Sequence, residues 1–110
     1  MSKIDFSSVL NEMIGAAKNS LADKWPEVEA LGTSSFKSLA QGLVDIEIMR
    51  MNGKITEEQA RLLLDMNRST LKIVLLSIEG IGLIAVEEAI NAALKAVKDV
   101  VNTAVGFALL

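Results

Sequence analysis

Two serines in this chain stand three residues ahead of a lysine, Ser34–Lys37 in SSFK and Ser69–Lys72 in STLK. On a helix that spacing sets an amine one turn from a hydroxyl, the arrangement some acyl-transfer enzymes use to activate a nucleophilic serine. The motifs that accompany it in those enzymes are missing, and Ser34 stands where a helix needs a cap. Four acids, Glu12, Asp45, Glu47 and Glu79, could offer oxygen ligands to Mg²⁺ or Ca²⁺. Asp45 and Glu47 are two apart and diverge on a helix, which suits solvated surface better than a shared ion. A carboxylate-bridged metal pair inside a bundle calls for Glu-x-x-His on two helices, and the chain has no His. Gly80 and Gly82 fall within a helical pattern rather than after a strand, so they do not form a phosphate cradle. The residues therefore predict a non-enzymatic protein with no catalytic group, no cofactor and no metal site.

The absences reach further. With no Cys there is neither a disulfide framework nor a thiolate metal site, and with no His no imidazole base. Eleven basic and fourteen acidic residues leave a formal charge of −3, so no net field draws the protein to nucleic acid. Arg61, Arg68 and Lys72 make a short basic strip, blunted by Glu57, Asp65 and Glu79 and read as a solvated face with a Glu57–Arg61 pair. Met13, Met49, Met51 and Met66 suit core filling more than an adaptable groove. Trp25 could anchor an interface, or pack beside Pro26 against the first bend. The N-terminal MSKIDFSSVLNEMIG lacks an apolar run of secretory length, which points to a reducing cytoplasm.

What must position these groups is helix throughout, in one domain over residues 1–110. Ser2 followed by Asp5 resembles a capping box that starts a helix near Lys3. Phe6, Val9, Leu10, Met13, Ile14, Ala17 and Leu21 recur at three- and four-residue steps as one buried face. That helix should end near Asp23, because Trp25 precedes Pro26. A short turn of helix, PEVEAL, closes at Gly32, and TSS caps a second helix from about Ser34 to Met51. Asn52-Gly53-Lys54 is a turn, and Thr56-x-x-Gln59 is a full capping box for a third helix.

From Glu57 to Leu110 there is no proline. Polar residues at 61, 65, 68, 72, 79, 87, 91, 95, 98 and 102 draw one slowly drifting stripe, several of them repeating at eleven residues. That phase predicts a single helix of about 50 residues, about 75 Å long. The alternative is a break at Gly80–Gly82, each glycine costing about 1 kcal/mol in a helix, which gives a four-helix bundle.

The apolar 14 residues 73–86 centre on Glu79. At roughly 21 Å of helix they fall short of a hydrocarbon core about 30 Å thick. The acid also takes back most of the insertion free energy that the Leu, Ile and Val residues supply. No clear transmembrane segment results. Beyond Gly80 a band of small residues, Gly82, Ala85, Ala89, Ala92, Ala93 and Ala96, would let another helix approach closely. Val100 and Phe107 extend it into an apolar end that needs cover.

The expected architecture is all-α: a hairpin or bundle of three helices with a long C-terminal helix, or else four helices broken at Gly80–Gly82. A mean hydropathy of +0.40 is high for so small a chain and implies apolar surface that meets something other than water. The expected function is a self-assembling scaffold or protein-interaction module. It would bury the Gly/Ala band against another copy, a dimer first, or against a helical partner protein. The rival is a small membrane-active helical protein that releases the same helix onto a bilayer, with Glu79 as its functional acid.

Overall fold

A computed structural model describes residues 3–110, and it resolves the two architectures in favour of four helices. They are α1 (Phe6–Leu21), α2 (Trp25–Met51), α3 (Glu57–Leu76) and α4 (Leu83–Val105), with a short 3₁₀ turn at Ala22–Lys24. Asp5 caps α1 by accepting from the amides of Ser7 and Ser8, so the helix starts later than Lys3; Ser2 lies outside the described residues. Ala22 ends α1 at φ +52°, ψ −119°, outside helical geometry, while its N–H still donates to Lys18 O.

The short PEVEAL helix does not exist as a separate piece. α2 runs unbroken through Gly32 and Thr33-Ser34-Ser35, with Pro26 in its first turn. Gly32 is buried, and a Cβ there would lie 2.7 Å from Val28 Cγ1 of its own helix and only at ordinary contact distance, 3.9 Å, from Leu75 Cδ2 of α3. Its lack of a side chain serves close packing rather than termination. At Gly42 a side chain would collide with Asn67 of α3, a close crossing of these two helices. Thr56 forms the expected box: its Oγ1 accepts from Gln59 N at 3.1 Å, while Gln59 Oε1 accepts from Thr56 N at 2.8 Å.

The long helix is broken at Ser77–Gly82. Gly80 adopts φ +88°, a conformation that costs an L-residue about 1–2 kcal/mol. Ile78 and Ile81 turn inward from this bend and pack on the core, Ile81 buried, while Lys24 Nζ donates to Gly80 O at 3.4 Å. Gly82 then stands as the extended N-cap of α4. A helix about 75 Å long would not fit a molecule measuring 42 × 23 × 19 Å.

Each helix runs antiparallel to its sequence neighbours. Backbone amides of Lys3 and Ile4 meet Glu47 near the end of α2, Arg50 meets Glu57 across the next turn, and Lys72 meets Glu87 across the last. α4 returns along α1, bringing Asp99 and Thr103 beside Lys3. The closest pairs are α1 with α4 and α2 with α3, and α1 and α3 occupy opposite corners. The core is apolar apart from Glu47. That carboxylate, fully buried, accepts from Lys3 N at 2.7 Å and Ile4 N at 3.1 Å, tying the chain's beginning to α2.

Candidate interaction surface

The alanine band turns inward. Ala89 and Ala93 are 0% exposed, in line with Val86 and Val97 on the α4 face that packs beside Val9, Met13 and Ala17 of α1. Small residues admit a close helix here, as their spacing implies, but that helix belongs to the same chain. Ala85 and Ala92 are half-buried, whereas Gly82, Ala96 and Val100 face solvent. Phe107, half-buried, lies between two guanidinium groups, with Arg50 Cζ 5.3 Å and Arg61 Cζ 5.1 Å from its ring centroid. Glu79 is exposed in the bend before α4. The eight residues expected to form one interface are thus divided between the core, the rim of α4 and the C-terminal tail.

The polar stripe is also relocated. Lys72 Nζ lies 3.1 Å from Glu87 Oε1, and Arg68 donates to Asn91 Oδ1. The polar residues of α3 and α4 thus line the edge where these two helices meet. In both contacts the residue numbers sum to 159, a register that sets Leu76 opposite Leu83.

Part of what faces water on α3 is apolar. Its buried line is Ala60, Leu64, Leu71 and Leu75. On the opposite side Leu62, Met66, Ile73 and Leu76 recur at alternating three- and four-residue steps, with Ser69 filling the middle position. These four are 60, 58, 68 and 39% exposed, values that a core-facing residue never shows. Leu31 of α2 and Leu83 and Ile84 of α4 are also exposed, near the bend end of the bundle, extending the apolar ground there. Isolated apolar residues on a surface are ordinary, whereas these four share one face of a single helix.

The signal for this line was present in the spacing of 62, 66, 69, 73 and 76, an average step of 3.5 residues like a coiled-coil seam. The inner line shares the same period, so spacing alone does not tell the outward face from the buried one; Met66 reads as core filling and Ser69 as a hydroxyl ahead of Lys72.

The other candidates stay apart. Ser34 and Ser69 are exposed, with no base beside either beyond its own lysine one turn on. Trp25 is buried at the first bend and donates from Nε1 to Glu29 Oε2 at 3.3 Å. Among the described residues no group of three or more His, Cys, Asp or Glu converges as a metal site, and none of the helices is long and apolar enough to cross a membrane. Arg61 pairs with Glu57 at 3.9 Å. Comparison of the chain with protein-family models, curated proteins and solved structures finds no match, so the surface is argued from its own residues.

Proposed function

We propose that this protein is a non-enzymatic, all-helical interaction module that assembles through the outward face of α3. The observation that carries this reading is the line Leu62, Met66, Ile73 and Leu76, left in water along one face of α3. Covering what these side chains still expose would supply about 3–6 kcal/mol on each copy, about 6–12 kcal/mol for a pair, taking half of the 1.5–3 kcal/mol that full burial of each is worth. Association itself costs on the order of 4–15 kcal/mol. The two are of similar size, which corresponds to a weak, reversible assembly that forms as concentration rises.

Sedimentation equilibrium over a wide concentration range, without detergent, tests the reading, paired with co-sedimentation on liposomes. A mass that climbs with concentration, in protein that ignores liposomes, agrees with it. A protein that stays monomeric and sediments with liposomes contradicts it and returns the α3 face to a membrane.

A further inference from the structure

Resting on that reading, we infer that the occupant of the α3 face is the same face of a second copy, packed antiparallel about a two-fold axis near Asn67–Arg68. With Leu62, Ser69 and Ile73 on alternating three- and four-residue steps, an antiparallel pair interleaves its seams as layers. Leu62 then stacks on the second copy's Ile73, and Met66 on its Ser69. The two-fold axis repeats both layers. Ser69 is the one small residue in the seam, and it meets the long, unbranched Met66, which can fill the space above a hydroxymethyl group.

Charge follows the same register. Asp65 and Lys72 both flank this seam on the α4 side, one helical heptad apart, and both are at least partly exposed. The register that forms the two layers brings Asp65 of each copy alongside Lys72 of the other, so the axis creates two opposite-charge contacts. A parallel pairing would instead set each of these residues beside Thr70 or Ser77 on the other flank of the seam and form neither opposite-charge contact. Lys72 already lies 3.1 Å from Glu87, and its ammonium keeps two further N–H donors for the carboxylate that arrives. Near the ends of the seam Glu58 approaches the second copy's bend, which carries Glu79, and this like-charge approach keeps the association weak.

The area agrees. From Leu62 to Leu76 the seam is about 21 Å long and about 10 Å wide. That footprint is about 200 Å² on each copy, a small contact that suits a weak, transient complex.

The experiment is sedimentation equilibrium on wild type, Asp65→Lys, Lys72→Asp, their equimolar mixture, the double variant Asp65→Lys/Lys72→Asp and Ile73→Lys, each first shown to be folded by thermal unfolding. Each single charge reversal should weaken dimerisation about tenfold, two attractive contacts having become repulsive. The mixture and the double variant should restore it, because both rebuild opposite charges across the axis. Asp65→Lys leaves the Lys72–Glu87 bridge untouched, so its effect is not a loss of fold. If Ile73→Lys abolishes association while the reversals change nothing, the α3 face stands as the interaction surface and the antiparallel register is overturned. If wild type associates and Ile73→Lys has no effect, the face itself is wrong. A wild type that remains monomeric throughout removes the second copy as its occupant.

Discussion

Replacing Gly80 with alanine separates the two ways the chain could leave residue 76. In the observed bend Gly80 has φ +88°, where an added Cβ costs about 1–2 kcal/mol. The lower entropy of the unfolded alanine chain returns about 0.4–1 kcal/mol. The net is a loss of about 1 kcal/mol. Space does not enter, because the nearest atom to that Cβ is Glu27 Oε2 at 3.7 Å, an ordinary contact. In a continuous helix the same substitution would instead stabilise by about 1 kcal/mol. The prediction is therefore one of sign. Urea unfolding followed by circular dichroism should show a midpoint lowered by about 0.5–1 M, with a slope unchanged from wild type. Gly82→Ser is the companion. Gly82 is an extended N-cap without a side-chain acceptor, and serine there should raise stability by about 0.5–1 kcal/mol. A Gly80→Ala protein more stable than wild type would refute the bend and the bundle built on it.

Other perturbations read other parts of the molecule. Glu47→Ala removes the acceptor for two backbone amides and should cost about 2–3 kcal/mol in urea unfolding, with Glu47→Gln losing about half as much. Ala93→Leu, which forces a larger side chain into the α1–α4 contact, should lower the melting temperature of dilute monomer through about 1–3 kcal/mol of overpacking. Weakened assembly with unaltered monomer stability would instead mean that Ala93 faces another molecule. Ile73→Lys should leave the melting temperature of dilute protein almost unchanged and abolish the rise of sedimentation mass with concentration, since the side chain is 68% exposed.

Much of the architecture is legible in local residues. Thr56 and Gln59 fix the start of α3 because a capping box is satisfied within four residues. The first buried face, Val9, Met13, Ala17 and Leu21, follows from period alone. The errors come where tertiary contact decides. Gly32 looks like a stop but lies buried within α2, where a Cβ would crowd Val28 of the same helix. Gly80 looks tolerable inside a helix, yet Ile78 and Ile81 gain burial only if the chain turns there. The polar residues of α3 and α4 kept a common phase for a different reason from continuity: two antiparallel helices present polar edges to each other, and Lys72–Glu87 and Arg68–Asn91 close that edge. Once α4 folds back on α1, the alanine band is satisfied internally, and the unmatched apolar line is the one on α3. That displacement was not readable without knowing which neighbour each face would find.

The central claim is that association uses the outer face of α3, and a dilution series of amide and methyl NMR spectra tests it residue by residue. Between millimolar and micromolar protein, shift changes should concentrate at Leu62, Met66, Ser69, Ile73 and Leu76, with those of Ala89, Ala93 and Val97 stationary. Changes centred instead on Ala96 and Val100, or spectra that do not change at all, would contradict the account.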